Sequence, residues 1–271
     1  MKQLSIGVIG LGAIGSRLVE VLATELSENA RVDFLCDLKK ARAFTLKKKW
    51  APRAKILDWE TLVDRADLVI EAASQNAALP IAKRALQKNK QALILSVGGL
   101  LEWDGLSLVL EKTKGRLWIP SGALAGVDAL LAASQGEIRR LTLTSRKPLA
   151  GLRGAPYLRE NRIRLSGIKK TTLIFEGDAV EANRAFPRNV NVAATLALAA
   201  GMNPRKTRVR IFTSPAYRYN RHEVEIQGDF GSIRTEVENI PSETNPRTSE
   251  LAVLSAKATL KKIFGHLHIG T

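Results

Sequence analysis

The sequence predicts an α/β protein in which a doubly wound parallel sheet is joined to a second, α+β domain with a mixed or antiparallel sheet. The first domain is indicated by apolar runs that alternate with helical patterns through about residue 120, and by a glycine-rich turn after the first run. The second is indicated by later strand-like runs without long helices between them. We therefore divide the chain into residues 1–121 and 122–244, and expect residues 245–271 to return to the first domain.

A short apolar strand, a glycine turn and a helix open the chain. The glycines are Gly10, Gly12 and Gly15. In this Rossmann-type context they permit a tight turn, a close approach of backbone to a pyrophosphate, and close packing of helix on strand. We expect the backbone at Ala13 and Ile14, in the first helical turn, to bind that pyrophosphate. The stretch therefore predicts a dinucleotide site.

The second strand, Val32–Cys36, ends at Asp37. A carboxylate at this place accepts hydrogen bonds from the adenosine ribose hydroxyls and repels a 2′-phosphate. Asp37 therefore favours NAD over NADP as cofactor. Lys39 and Lys40 follow at once, and their charges leave the use of both nucleotides open.

Two later strands of the first domain, Leu68–Glu71 and Ala92–Leu95, are followed by small and polar residues. Ligands of doubly wound sheets bind at the carboxyl ends of the strands. The predicted cofactor contacts in these segments are Ala73, Ser74, Ser96, Val97 and Gly98. The alternative is that both segments are simple tight turns.

The elements of the second domain are predicted from shorter patterns. Strands are expected at Leu141–Thr144, Leu173–Glu176, Arg208–Phe212, Glu223–Gln227 and Ile233–Glu238, and an alanine-rich helix at Val190–Ala200. The segment Arg146–Lys170 is basic and irregular. We expect a final helix with Asn245 as N-cap, Pro246 at its first position, and Leu254 on its apolar side.

Composition limits the class of protein. The chain has 271 residues, a formal net charge of +16 and one cysteine, which excludes an internal disulfide framework and fits a reducing compartment. No apolar run approaches the length needed to span a bilayer, so we expect a soluble cytoplasmic protein without a membrane partner.

Because the cations are spread along the chain, we interpret the charge as a surface that favours anionic small molecules rather than nucleic acid. No cluster has metal-ligand spacing, so no metal is predicted.

Several strings in the second half are unusual. They are P-S-G-A-L-A-G-V-D at 120–128, F-P-R-N-V-N-V-A-A at 186–194, N-R-H-E-V at 220–224, N-I-P-S at 239–242 and N-P-R-T-S at 245–249. With the glycine turn they make the chain resemble the L-aspartate dehydrogenase family, from residue 4 to about residue 262. The glycine turn alone is shared by many activities, whereas these strings in this order are specific.

The resemblance implies oxidation of L-aspartate with NAD or NADP. The product is iminoaspartate, which hydrolyses to oxaloacetate and ammonia or enters quinolinate synthesis for NAD production. The resemblance also implies a homodimer, a catalytic role for His222, and cofactor contacts at Ala123 and Asn189. Other two-domain NAD(P)-dependent reductases of an aspartate-derived aldehyde or imine are the alternative, followed by a nucleotide-sensing protein without chemistry.

The residues themselves permit this chemistry. Oxidation of an amine needs a base near neutral pKa, and histidine is the side chain that meets this requirement. By position alone, His222 is as compatible with a structural role as with a catalytic one. Asn191 is a candidate for a substrate contact or a helix cap. Arg146 and Lys147 are candidates for binding the substrate carboxylates, with a solvated charge pair as the alternative.

Overall fold

The computed structural model describes residues 3–187, 191–242 and 245–271, without the side chains of 245–247. Contacts within the chain divide it into two units. The first unit comprises Met1–Pro120 and Val253–His268. The second comprises Ser121–Ala252 and Ile269–Thr271. The chain therefore leaves the first unit after Pro120, returns to it inside the final helix, and ends with three residues that belong to the second unit.

The first unit contains a six-stranded parallel sheet in the order β3-β2-β1-β4-β5-β6, so the predicted doubly wound sheet is confirmed. Its strands are β1 (Leu4–Ile9), β2 (Ala30–Cys36), β3 (Lys55–Ile56), β4 (Leu68–Glu71), β5 (Gln91–Ile94) and β6 (Arg116–Trp118). Its helices are α1 (Ala13–Thr24), α2 (Lys40–Trp50), α3 (Trp59–Arg65), α4 (Gln75–Gln87) and α5 (Leu106–Lys112). The strand order reverses between β1 and β4, which is where sheets of this kind bind ligands.

The apolar residues of β1 and α1 form the centre of the first unit's core. Ile6, Val8, Leu18 and Leu22 are almost completely buried there. They are apolar at every second position of the strand and at helical spacing in α1, which is the pattern that predicted both elements. This core holds β1 against α1 and thereby positions the glycine turn that joins the two elements.

Helix α2 has no counterpart in the sequence prediction. Its sequence is rich in lysine, it buries only Ala43, and Phe44 is exposed, so it lacks the apolar stripe that reveals a helix. In contrast, the start of α3 has a local capping residue, Asp58, whose Oδ1 accepts a hydrogen bond of 2.8 Å from the Thr61 N–H.

The second unit contains a five-stranded mixed sheet in the order β11-β10-β7-β9-β8, which confirms the predicted second domain. Its strands are β7 (Ile138–Pro148), β8 (Thr172–Asp178), β9 (Thr207–Ser214), β10 (Asn220–Gly228) and β11 (Gly231–Asn239). Helices α6 (Val127–Ala133), α7 (Leu149–Leu152), α8 (Pro156–Glu160), α9 (Ala179–Ala185) and α10 (Asn191–Ala199) complete it. The central strand, β7, is parallel to β9 and antiparallel to β10.

The two faces of this sheet differ in character. One face is apolar and buried, with Leu141, Leu143 and Val209 fully excluded from solvent, and α9 and α10 pack against the sheet. The other carries charged side chains, among them Arg208 and Arg234. This alternation with period two decides which neighbouring residues of a strand share a face.

The start of the final helix differs from the prediction. Residues Asn245–Ser249 form strand β13, which pairs with strand β12 (Pro241–Ser242), and helix α11 (Glu250–Phe264) begins only at Glu250. Backbone pairing thus takes the segment that we expected to cap the helix. Leu254 is exposed, while Val253, Ala256 and Leu260 are buried. No helix in the described ranges is both long and apolar enough to cross a membrane.

Candidate functional site

The turn between β1 and α1 has the geometry that its glycines predict. Gly10 has a φ of +86°, which side chains rarely adopt, and a Cβ there would lie 2.5 Å from the backbone of Ala72 and Ala73. A Cβ at Gly15 would lie 1.9 Å from the Gly10 carbonyl oxygen. Gly10 therefore makes the tight turn, and Gly15 brings the helix close to the strand.

Gly12, the remaining glycine of this turn, faces open space. A Cβ at Gly12 would have no atom within 4 Å, although this residue is the N-cap of α1. A cavity of about 420 Å³ lies at this edge of the sheet, lined by Gly10, Gly12, Asp37 and Ser74 among others. The first N–H groups of an α-helix have no partner within the helix, and Ala13 and Ile14 lie in that first turn. The residues present therefore fit a pyrophosphate and its nucleoside.

Asp37 is held firmly in this cavity. Its Oδ2 accepts a hydrogen bond of 2.7 Å from the Leu11 N–H, and its Oδ1 accepts one of 2.7 Å from the Lys39 N–H. The Arg42 guanidinium lies 3.8 Å from the same carboxylate. A carboxylate that suits ribose hydroxyls and a cation that suits a 2′-phosphate thus line the same cavity.

A carboxylate that the sequence analysis did not single out ties the two adjacent strand ends together. Glu71 is completely buried, and its Oε1 accepts hydrogen bonds from the Ala73 N–H (2.7 Å), the Ser74 N–H (3.0 Å) and the Ser96 hydroxyl (2.8 Å). Its Oε2 accepts a fourth, of 3.0 Å, from the Ser96 N–H. Burial raises the pKa of Glu71, and these donors oppose that effect. The signal in the sequence that could have identified Glu71 is an acidic residue at the end of a buried strand.

The remaining predicted contacts of this edge divide into two groups. Ala73 and Ser74 are exposed, and Ser74 borders the cavity. Val97 and Gly98 are buried in a turn of 3₁₀-helix that packs against α4, and the Ser96 hydroxyl is bonded to Glu71. Of the two predicted segments, the one after β4 lines the cavity, and Ser96, Val97 and Gly98 after β5 are not among its lining residues.

In the second unit, His222 lies on the buried face of β10. It stands directly opposite Ser145 of β7, and the Ser145 hydroxyl is 2.9 Å from the His222 Nδ1. His222 is 4% exposed and Ser145 is fully buried. Burial, and secondarily the charge of Lys147, hold the pKa of His222 well below its ordinary value. The ring is therefore neutral at physiological pH.

The two cationic candidates that follow Ser145 lie on opposite faces of β7. Lys147 shares the face of His222, is 3% exposed, and has a pKa lowered to about 8 by burial. In the described part of the chain its ammonium has no ion pair or hydrogen bond. Arg146 lies on the other face, where its guanidinium is 2.9 Å from a carboxylate oxygen of Glu223. Arg146 thus does not share the face of His222, and it forms the charge pair that the sequence analysis gave as the alternative to a substrate contact.

Three further predicted residues belong to the second unit. Ala123 is buried, and its carbonyl oxygen accepts a hydrogen bond of 3.2 Å from the side-chain amide of Asn239. Asn191 is the first residue of α10 and is exposed. Asn189, the other predicted cofactor contact here, lies outside the described residues.

Two family models match the chain. The C-terminal model of aspartate dehydrogenase matches residues 128–263, and the NAD-binding domain model of homoserine dehydrogenase matches residues 10–117. Curated relatives named L-aspartate dehydrogenase match over nearly the full length. That of Methanosarcina barkeri is 42% identical, covering 99% of this chain and 100% of the relative. That of Bradyrhizobium diazoefficiens is 35% identical, covering 100% of this chain and 95% of the relative.

Solved structures of dehydrogenases are also similar to this chain. A crystal structure of aspartate dehydrogenase from Thermotoga maritima is 26% identical with a TM-score of 0.75, covering 99% of this chain and 100% of that one. Scyllo-inositol dehydrogenase from Lactobacillus casei, solved with bound NAD(H) and scyllo-inositol, is 17% identical with a TM-score of 0.55, covering 99% and 91%. The latter likeness shows a common fold and nothing more.

Proposed function

This chain belongs to the L-aspartate dehydrogenase family, and we propose that it oxidises L-aspartate to iminoaspartate with NAD or NADP. The observation that carries this proposal is the arrangement on the buried face of the second unit's sheet. There a neutral histidine and a lysine that has no ion pair with any described residue lie on adjacent strands. A base and a cation are what an amino-dicarboxylate requires of its enzyme.

The chain's residues have limited but defined tasks in this reaction. A bound nicotinamide would supply the acceptor for the hydride that leaves the α-carbon of aspartate. We assign His222 as the base that takes the proton from the α-amine, and later from the water that attacks the imine carbon. The completed reaction yields oxaloacetate and ammonium, with one hydride transferred and one proton released.

We propose that Lys147 binds a substrate carboxylate. A buried ammonium without a carboxylate partner is costly, and an anionic ligand removes that cost. Asn191, at the start of α10, is a second proposed substrate contact, while Ala123 and Asn189 are proposed cofactor contacts on the strength of the family strings. Gly10, Gly12 and Gly15, with the backbone that follows, are the proposed pyrophosphate site.

Absorbance at 340 nm tests the proposed activity. With L-aspartate and NAD at alkaline pH, the wild type is expected to form NADH. His222→Ala is expected to reduce kcat by about 10²–10⁴-fold, because it removes a general base. His268→Ala, in the exposed C-terminal tail, is the matched control and should retain full activity. Absence of NAD(P)H formation by the wild type contradicts the proposed function, whereas full turnover by His222→Ala contradicts only the catalytic assignment.

We propose NAD as the preferred nucleotide, with NADP also accepted. Asp37 supports the preference, and Arg42 supports the second use. Arg42→Ala is expected to lower kcat/KM with NADP roughly 10-fold, because a charged contact with the 2′-phosphate is lost, and to change kcat/KM with NAD less than about twofold. Arg53→Ala, an exposed arginine beyond α2, serves as the control. An equal loss with both nucleotides would show that Arg42 does not distinguish them.

We propose a homodimer formed through the charged face of the five-stranded sheet. Arg234 and Glu236 lie on this face, and both are exposed. Acidic and basic side chains alternate on this face, as in the ion pair of 2.6 Å between Arg234 and Glu223, so a second copy meets complementary charges. A solution mass near that of one chain, 29.6 kDa, measured by light scattering, would contradict the dimer.

Two broader assignments complete the proposal. The single cysteine supports a reducing compartment, and we propose the cytoplasm. We also propose that iminoaspartate formed by this chain supplies quinolinate synthesis and thereby NAD production, as the family resemblance implies. Accumulation of quinolinate in a coupled assay with quinolinate synthase checks this second assignment.

A further inference from the structure

The contact between Ser145 and His222 has no role in the chemistry described so far. The two residues form a directly opposed pair on β7 and β10, and their side chains meet on the buried face at 2.9 Å. Both strands lie in the interior of the sheet, with neighbours on each side, so the sheet fixes the backbone positions of both residues. The hydrogen bond therefore orients the imidazole ring, with its Nδ1 toward Ser145.

The contact uses only one ring nitrogen. Nδ1 is bonded to Ser145, and across the described residues Nε2 has no hydrogen-bond partner. A neutral imidazole carries its proton on one nitrogen and a lone pair on the other, and a serine hydroxyl is able either to donate or to accept. The direction of the Ser145 hydrogen bond thus decides whether Nε2 is a base or a donor.

Protonation of the ring distinguishes the two directions. When His222 takes up a proton, both ring nitrogens become donors, so Ser145 must then accept from Nδ1. If Ser145 already accepts in the neutral state, the hydroxyl oxygen keeps its role and nothing has to turn. If it donates, the hydroxyl must reorient during the reaction, which a preorganised site avoids.

We propose that Ser145 is a positioning residue whose hydroxyl oxygen accepts the Nδ1–H of His222, leaving the Nε2 lone pair to take the proton from the substrate. The inference rests on the proposed function for the identity of that substrate, whereas the tautomer itself is a property of the protein alone. Lys147 shares the face of His222 and is the charge that acts on the ring among the described groups. Its ammonium disfavours the doubly protonated ring until an anion lies beside it.

Nitrogen-15 NMR of the imidazole reads the tautomer without any assay of activity. The chain has three histidines, so a protein labelled at histidine and carrying His266→Gln and His268→Gln shows His222 alone. Both replaced residues lie in the exposed tail. The expected spectrum at neutral pH is that of the Nδ1–H tautomer. In Ser145→Ala we expect a mixture of the two tautomers.

Steady-state kinetics give the second measurement. Ser145→Ala is expected to lower kcat roughly 10²-fold, with KM for L-aspartate within about threefold of the wild type, because the base is misoriented while the carboxylate contacts persist. Ser145→Thr retains the hydroxyl and is expected to restore most of kcat. Thr144→Val removes the neighbouring buried hydroxyl, on the other face of β7, and is expected to change neither kcat nor the tautomer.

The outcomes are separable. An Nε2–H tautomer in the wild-type protein overturns the proposal, whether or not aspartate is oxidised. An Nδ1–H tautomer in a protein that does not oxidise aspartate supports the role of Ser145 and contradicts the proposed substrate. If Ser145→Ala fails to fold, the wild-type spectrum and the activity of Ser145→Thr still decide the question, since loss of kcat in Ser145→Thr with an unchanged tautomer counts against positioning.

Discussion

Replacing Lys147 with methionine is expected to make the protein more stable and nearly inactive at low aspartate concentration. Burial lowers the pKa of Lys147 from 10.5 to about 8, and one pKa unit corresponds to about 1.4 kcal/mol. The charged lysine therefore costs the fold about 3 kcal/mol at neutral pH, and methionine, of similar shape, removes that cost. Loss of a charged contact with the substrate should raise KM for L-aspartate roughly 10- to 100-fold.

The free energy of unfolding of the wild type is expected to depend on pH, in a direction that follows from the lowered pKa of Lys147. The folded pKa of Lys147 lies below the unfolded value, so between pH 10.5 and 8 the unfolded chain takes up a proton that the folded protein does not. The wild type therefore loses stability as the pH falls through this range, and the loss is complete below about pH 8. The free-energy difference between Lys147→Met and wild type should accordingly be large at pH 7 and shrink above pH 10.

Urea denaturation at both pH values, with Lys170→Met as the control, measures the effect. Lys170 is an exposed lysine of the same unit, so its replacement should change neither stability nor KM. Equal stability of Lys147→Met and wild type at pH 7 would show that burial does not penalise this charge. An unchanged KM for L-aspartate would show that Lys147 does not bind the substrate.

Alanine at Gly12 and at Gly15 is expected to damage the protein in two different ways. A Cβ at Gly15 would meet the Gly10 carbonyl oxygen at 1.9 Å, so Gly15→Ala should destabilise the fold by about 1–3 kcal/mol or more. A Cβ at Gly12 would meet no atom within 4 Å, so the fold should be unaffected. The same methyl group occupies the space through which a pyrophosphate reaches the backbone, so NADH binding should weaken at least about 10-fold.

Thermal denaturation without nucleotide and titration of NADH fluorescence separate the two effects. Gly167→Ala is the control, since Gly167 is exposed and also has open space around it. If Gly12→Ala binds NADH as tightly as the wild type, the pyrophosphate does not pass over this residue. If Gly15→Ala melts at the wild-type temperature, helix α1 is free to move away from the strand.

The parts of the fold that follow a hydrophobic period were predictable from the sequence. The strand, turn and helix around Gly10, Gly12 and Gly15 have an apolar period and a fixed glycine spacing, and the structure has all three. Helix α2 has no apolar stripe, and its only buried residue is Ala43, so no pattern announced it. At residues 245–249 the local signals of a helix start are outweighed by pairing with Pro241–Ser242, which no local signal encodes.

The same distinction applies to the candidate site. The identity of His222 came from a string of residues, but its partner Ser145 is 77 positions away and only strand register joins them. Arg146 and Lys147 are equivalent in the sequence, and the phase of β7 decides that only Lys147 faces the histidine's side. Glu71 appeared as the end of a strand, and its four hydrogen bonds depend on two loops that fold around it.

The position of helix α11 at the end of the chain determines when, during synthesis, the first unit can complete its core. Ala256 and Leu260 belong to the same core as Ile6 and Val8, yet they are translated some 250 positions later. A nascent chain that has emerged as far as Pro120 has all six strands of the parallel sheet but still lacks the residues that close one side of their core. The nucleotide-binding unit therefore reaches its complete core only when the C-terminal helix has left the ribosome, after the whole second unit has been synthesised.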